Sequence, residues 1–168
     1  MATRRGILKG VMGAGLLGVA GCSSTGGTGG GVEEAQEGDA PILPEPKAVT
    51  VSLSAASDSN VGPSGRAAPT TVRLYTLRSV GTFQQLDFFE LTGGNALGGA
   101  VVDSRTISLR PGESRNVTLN AGTDGAYLGV AAAYRDIDSA RWRGQASLVG
   151  RENFAVGIGR AAVSVRAA

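Results

Sequence analysis

The chain has 168 residues, one cysteine and no histidine. Length and composition fit one domain with a real core, and they exclude imidazole acid–base chemistry, an internal disulfide and most transition-metal sites. The formal net charge is +2, but Arg4, Arg5 and Lys9 fall in a segment that reads as an export signal, and removing those three charges leaves −1. Clustered basic residues for nucleic-acid phosphates are therefore not indicated, and no partner of that class is expected.

The N-terminus is tripartite: Thr3-Arg-Arg-Gly-Ile-Leu-Lys9, an apolar run Gly10–Ala20, then Gly21 and Cys22. As a helix the apolar run covers roughly 16 Å, about half the ~30 Å hydrocarbon layer, so it predicts a cleaved signal peptide over residues 1–21 and no permanent span. Leu17-Gly-Val-Ala-Gly-Cys22 resembles a lipobox, in which small residues ahead of a cysteine admit the lipoprotein signal peptidase. Cys22 then becomes the lipid-modified first residue of the mature chain, and several acyl chains at ~0.8 kcal/mol per methylene make the anchor stable. The paired arginines suit both the general and the twin-arginine export route. Ser23 resembles the residue that passes a lipoprotein on to the outer membrane, facing the periplasm.

Residues 23–46 are Gly, Ser and Thr first, then Glu33, Glu34, Glu37 and Asp39, then Pro41, Pro44 and Pro46. Such a composition cannot bury enough apolar surface to order itself, so residues 22–46 are expected to be a lipidated tether spanning roughly 25–30 Å as a coil.

A folded domain is expected over residues 47–168. With 27 glycines and few aromatics, it should be rich in β-structure and turns. Val49–Ala55 alternates apolar and small polar residues and predicts a half-buried strand. The breaker-rich stretch Asp58–Pro69 predicts a loop, and Thr70–Leu77 a second strand. Thr82 followed by Gln85 fits a capping box opening one short helical segment, Phe83–Leu91, with Phe83, Leu86 and either Phe88 or Phe89 beneath a sheet.

Thr106–Leu109, a Pro111-Gly112 turn and Arg115–Leu119 read as a hairpin. Tyr127–Tyr134 is apolar on both faces, as a strand covered on two sides would be. Trp142–Leu148, Asn153–Ile158 and Ala161–Val165 complete the set. Seven to eight short strands with one short helical insertion make an all-β sandwich the expected fold.

These elements, taken in order, resemble the type VI secretion outer-membrane lipoproteins of the TssJ (VasD) type. The likeness rests on the lipobox and tether, Asn60, Gly65 and Arg66 in the first loop, Val72-Arg-Leu-Tyr-Thr-Leu77, Phe83 with Leu86-Asp-Phe-Phe-Glu-Leu91, Leu109-Arg-Pro-Gly-Glu113, and the Ala-rich strand running into Tyr134-Arg135. The resemblance implies a transthyretin-like sandwich that binds the periplasmic C-terminal domain of TssM, the inner-membrane protein that works with TssL. It also implies that the loop between the first two strands makes the contact, here Asn60, Val61, Gly62, Pro63, Ser64, Gly65 and Arg66. Val61-Gly-Pro63 departs from the family's more usual Pro-Asp after the asparagine. The loop is long for a sandwich connection, its prolines restrict it, and Arg66 offers a planar donor fork, so it is expected to bind a partner while contributing little to folding.

No catalytic, metal or cofactor pattern stands beside this reading. Asp136 and Asp138 are expected in a polar turn, the glycine pairs lack the lysine of a phosphate-binding loop, and any serine nucleophile would lack a histidine base. A non-enzymatic anchor and assembly protein is the first expectation. A periplasmic small-ligand binder or assembly chaperone on an immunoglobulin-like or transthyretin-like domain is the alternative.

Overall fold

The computed structural model describes residues 45–168; the signal peptide, Cys22 and the tether up to residue 44 lie outside it. Eight strands form two four-stranded sheets. They are β1 (Lys47–Ala55), β2 (Thr70–Leu77), β3 (Val101–Leu109), β4 (Ser114–Gly122), β5 (Tyr127–Ala132), β6 (Arg143–Ser147), β7 (Asn153–Ile158) and β8 (Val163–Ala167). The first sheet runs β4-β1-β7-β8 and the second β3-β2-β5-β6. All neighbours are antiparallel except β1 and β7, where Val51 lies opposite Phe154 and Leu53 opposite Val156 in parallel register.

Strand alternation builds the core between the sheets. Val49, Val51, Leu53 and Ala55 of β1 face inward, as do Val72 and Leu74 of β2, Leu128 and Val130 of β5, and Phe154, Val156 and Ile158 of β7. At one end of this core Thr76 Oγ1 donates to the Asn120 carbonyl across the sheets at 2.6 Å. Gly144 of β6 faces β8 so closely that a Cβ there would stand 2.7 Å from Val165 Cγ2, so an absent side chain lets these two edge strands of opposite sheets approach.

A second apolar cluster covers the outer face of the second sheet, where Tyr75, Leu77 and Ala131 meet Phe83, Leu91 and Leu97. The covering segment lies between β2 and β3. It contains α1 (Gly81–Gln85), α2 (Phe88–Gly93) and a 3-10 turn at Gly98–Ala100, rather than one helical stretch. The expected box at Thr82 does not form, because α1 starts after Val80, which offers no side-chain cap. The box belongs to α2: the Glu90 amide donates to Asp87 Oδ1 at 2.7 Å and the Asp87 amide to Glu90 Oε2 at 3.0 Å. Leu86 is extended, with ψ 144, and this break turns both Phe83 and Leu91 toward the sheet. Phe83 is fully buried, Phe88 half-buried and Phe89 exposed.

Arg143 ties the insertion down from β6, donating through Nη1 to the carbonyls of Phe83 and Leu86, both at 2.9 Å. Gly129 makes room for it, since a Cβ at that position would lie 3.0 Å from both Leu77 Cδ1 and Phe83 Cε2. The two-sided apolar character of β5 thus has a direct cause: Leu128 and Val130 fill the inter-sheet core, while Gly129 and Ala131 lie under the helices.

Candidate functional site

The strand directions sort the connections into two poles. The chain enters β1 at Lys47 and reaches the opposite pole at Ala55. That far pole gathers the β1–β2 loop, the β3–β4 turn, the β5–β6 loop and the β7–β8 turn.

Asn60 joins them. Its φ of 55 is the left-handed conformation that asparagine tolerates better than most residues. Its side chain is 3% exposed and used at both ends: Nδ2 donates to the Pro69 carbonyl at 2.9 Å, while Oδ1 accepts from the Arg135 amide at 2.7 Å. Its own amide points to the Gly159 carbonyl, and the Val61 amide to the Arg160 carbonyl. One residue therefore clamps the loop's base and binds it to the β5–β6 loop of one sheet and the β7–β8 turn of the other. The Ala68 amide closes the base further by donating to the Ser59 carbonyl at 3.1 Å.

Beyond the clamp the tip is a tight turn, in which the Gly65 amide donates to the Gly62 carbonyl at 2.9 Å across Pro63 and Ser64. Gly62 is buried against Arg135, whose Cδ would stand 3.1 Å from a Cβ there. Gly65 has φ 72, which favours glycine. Pro63, Ser64, Gly65 and Arg66 are exposed, and Val61 is half-buried. Among the described residues Arg66 makes no ion pair.

Six of the seven residues singled out in the sequence thus divide in two, and half-buried Val61 lies between the groups. Asn60 and Gly62 are structural, so the expectation that the loop contributes little to folding fails at its base, where removing Asn60 would orphan the Arg135 amide and the Pro69 carbonyl. Pro63–Arg66 form the accessible surface. Sequence reasoning missed Arg135 as the loop's neighbour. The signal was present only as a lone asparagine between Ser59 and Val61, and its long-range partner has no sequence signature.

The rest of the pole is equally tied. The Arg141 amide donates to the Ala161 carbonyl and the Val163 amide to the Arg141 carbonyl, both at 2.9 Å. Asp136 and Asp138 lie in a polar turn closed by the Ala140 amide on the Asp136 carbonyl. In the β3–β4 turn the Arg110 amide donates to Glu113 Oε2 at 2.8 Å. That bond and the Arg115 guanidinium hold the Glu113 carboxyl below the usual carboxylate range. Burial pushes the Tyr134 phenol up to about 12, its hydroxyl making no hydrogen bond among the described residues. Among the described residues no group of His, Cys, Asp or Glu has the arrangement to hold a metal ion.

This architecture has known relatives. Residues 47–165 match the family described as type VI secretion lipoprotein, VasD, EvfM, TssJ. The chain belongs to this type VI secretion lipoprotein family. The crystal structure of the lipoprotein TssJ1 from Pseudomonas aeruginosa aligns with a TM-score of 0.69 and 34% identity, covering 74% of this chain and 98% of that one. The fold is shared by Lip of Serratia marcescens, described as a membrane-bound component of the type VI secretion system, with a TM-score of 0.66, 24% identity and coverage of 74% and 99%. A chain in a structure described as the TssM C-terminal domain from EAEC has the same fold, at a TM-score of 0.63 and 19% identity, covering 73% of this chain and 99% of that one. Among curated proteins none matches the chain. Family membership makes this TssJ-type chain a type VI secretion lipoprotein.

Proposed function

We propose that the mature protein is held in the outer membrane by lipid on Cys22, faces the periplasm, and anchors the secretion complex by binding the periplasmic C-terminal domain of TssM, which assembles with TssL. In this reading residues 1–21 are removed, residues 22–46 form the tether, and no catalysis is involved. The observation that carries the reading is the placement of the Pro63–Arg66 tip. It stands on the pole opposite the point where the chain enters β1, on a base clamped by Asn60. A partner approaching from the inner membrane would meet a preordered surface and lose little conformational entropy on contact.

Mass spectrometry of the mature N-terminus tests the anchor, with a lipidated Cys22 expected and Cys22→Ser releasing the protein from the membrane. Calorimetry with the TssM periplasmic domain tests the partner. An unmodified N-terminus beginning elsewhere would remove the anchor, and absence of heat exchange with a folded TssM domain would favour the small-ligand or chaperone alternative.

A further inference from the structure

The aromatic residues that the insertion does not bury lie together. Phe88 packs edge-on against Trp142 with ring centroids 5.4 Å apart, and against Phe89 at 5.6 Å. Phe89 is 70% exposed, and Ile137, Ala140 and Trp142 opposite it are only half-buried. Between α2 and the β5–β6 loop these side chains wall a groove of about 360 Å³. Val149, the other large exposed hydrophobic side chain among the described residues, stands in the β6–β7 turn, away from this cluster. A contiguous half-buried aromatic patch differs from the scattered apolar residues normal for a surface.

The groove also has a sign. Asp87 and Asp138 line it and no lysine or arginine does. Asp87 is occupied by the Glu90 amide, whereas Asp138 is exposed and, among the described residues, forms no ion pair. Arg143 stacks on the Trp142 ring at 4.7 Å and is committed to the Phe83 and Leu86 carbonyls.

We propose that this groove is a second docking site, separate from the β1–β2 loop tip, for an extended protein segment that carries a leucine-sized or phenylalanine-sized side chain beside an arginine or lysine. The apolar side chain enters between Phe89 and Trp142, and the cation meets Asp138 at the rim. Charge decides against the chain's own tether, because Glu33, Glu34, Glu37 and Asp39 would bring carboxylates to a rim that already has two.

Trp142 is the only tryptophan of the chain, so its emission reports occupancy without a label. The test titrates the full mature chain, carrying Cys22→Ser for solubility, with the blocked peptides Gly-Leu-Arg-Gly and Gly-Leu-Glu-Gly. The arginine peptide should saturate the Trp142 signal with a dissociation constant in the roughly millimolar range expected of so few contacts. The glutamate peptide should bind about fivefold or more weakly. Asp138→Asn should bring the two peptides within about twofold of each other, as expected for loss of one exposed ion pair. Phe89→Ala, at an exposed position that leaves the fold intact, should weaken both about tenfold. No saturable change with either peptide, equal affinity for both in the unsubstituted chain, or unchanged binding by Phe89→Ala would overturn the proposal. A Phe89-dependent dimer in sedimentation, or an emission change when the tether glutamates become glutamine, would also overturn it by assigning the groove to a second copy or to the tether.

Discussion

The two sheets of the sandwich differ on their outer faces. On the first, Thr50, Ser52, Ser54, Asn116 and Thr118 alternate with the core residues and meet solvent, giving the half-buried pattern of β1 and β4. On the second, Tyr75, Leu77 and Ala131 lie beneath the helical insertion, so β5 and the Tyr75–Leu77 end of β2 are covered on both sides. A strand covered on one face reads with period two, and a strand covered on both reads as a run. The second sheet therefore depends on its insertion as the first does not, and the far pole joins sheets of unequal support.

The largest effect should come from uncovering the second sheet. Phe83 is completely buried against Tyr75, with ring centroids 6.0 Å apart, and Phe83→Ala should cost about 3–5 kcal/mol in denaturant unfolding. Thr50→Ala or Ser52→Ala on the open face should stay within about 0.5 kcal/mol. Equal losses at the two faces would break the comparison.

Next is the join between the sheets. Asn60→Ala orphans a buried amide and a carbonyl and should cost about 1–3 kcal/mol. Asn60→Gly keeps the positive φ easily and should recover part of the loss, so the gap between the two variants separates backbone strain from lost hydrogen bonds.

The next effect appears in alkali. Folding raises the Tyr134 phenol to about 12 from an ordinary 10. The unfolded chain therefore ionises first as pH rises above 10. Stability from this residue is intact below that point and declines toward pH 12, by on the order of 1–2 kcal/mol after allowance for partial solvation. Tyr134→Phe should flatten that part of the stability curve, and an unchanged slope would place the titration elsewhere.

Much of this fold is legible in the chain because its signals are local. Alternation at Val49–Ala55, the Pro111-Gly112 turn and the two-sided apolar run beginning at Tyr127 each reflect the residue's immediate neighbours in a strand. The helix boundary is also a local signal, but two overlapping patterns compete, Thr82 with Gln85 and Asp87 with Glu90. Only the second has an extended residue, Leu86, ahead of it to start a new helix. The long-range details are not legible: Arg143 reaching the Phe83 carbonyl, Gly129 clearing space for a ring, and Asn60 meeting Arg135 all depend on tertiary placement. For the same reason the loop's position was readable and its division into clamp and tip was not.

The smallest expected change in stability accompanies the most direct test of function. Replacing Pro63, Ser64 and Arg66 by glycine or serine while keeping Asn60, Gly62 and Gly65 alters only exposed positions, so thermal unfolding should move by less than about 1 kcal/mol. Calorimetric titration of this variant with the TssM periplasmic domain is the decisive measurement. Loss of binding by a chain that unfolds like the parent is the predicted result, and undiminished binding would contradict the assignment of the far-pole loop tip as the partner surface.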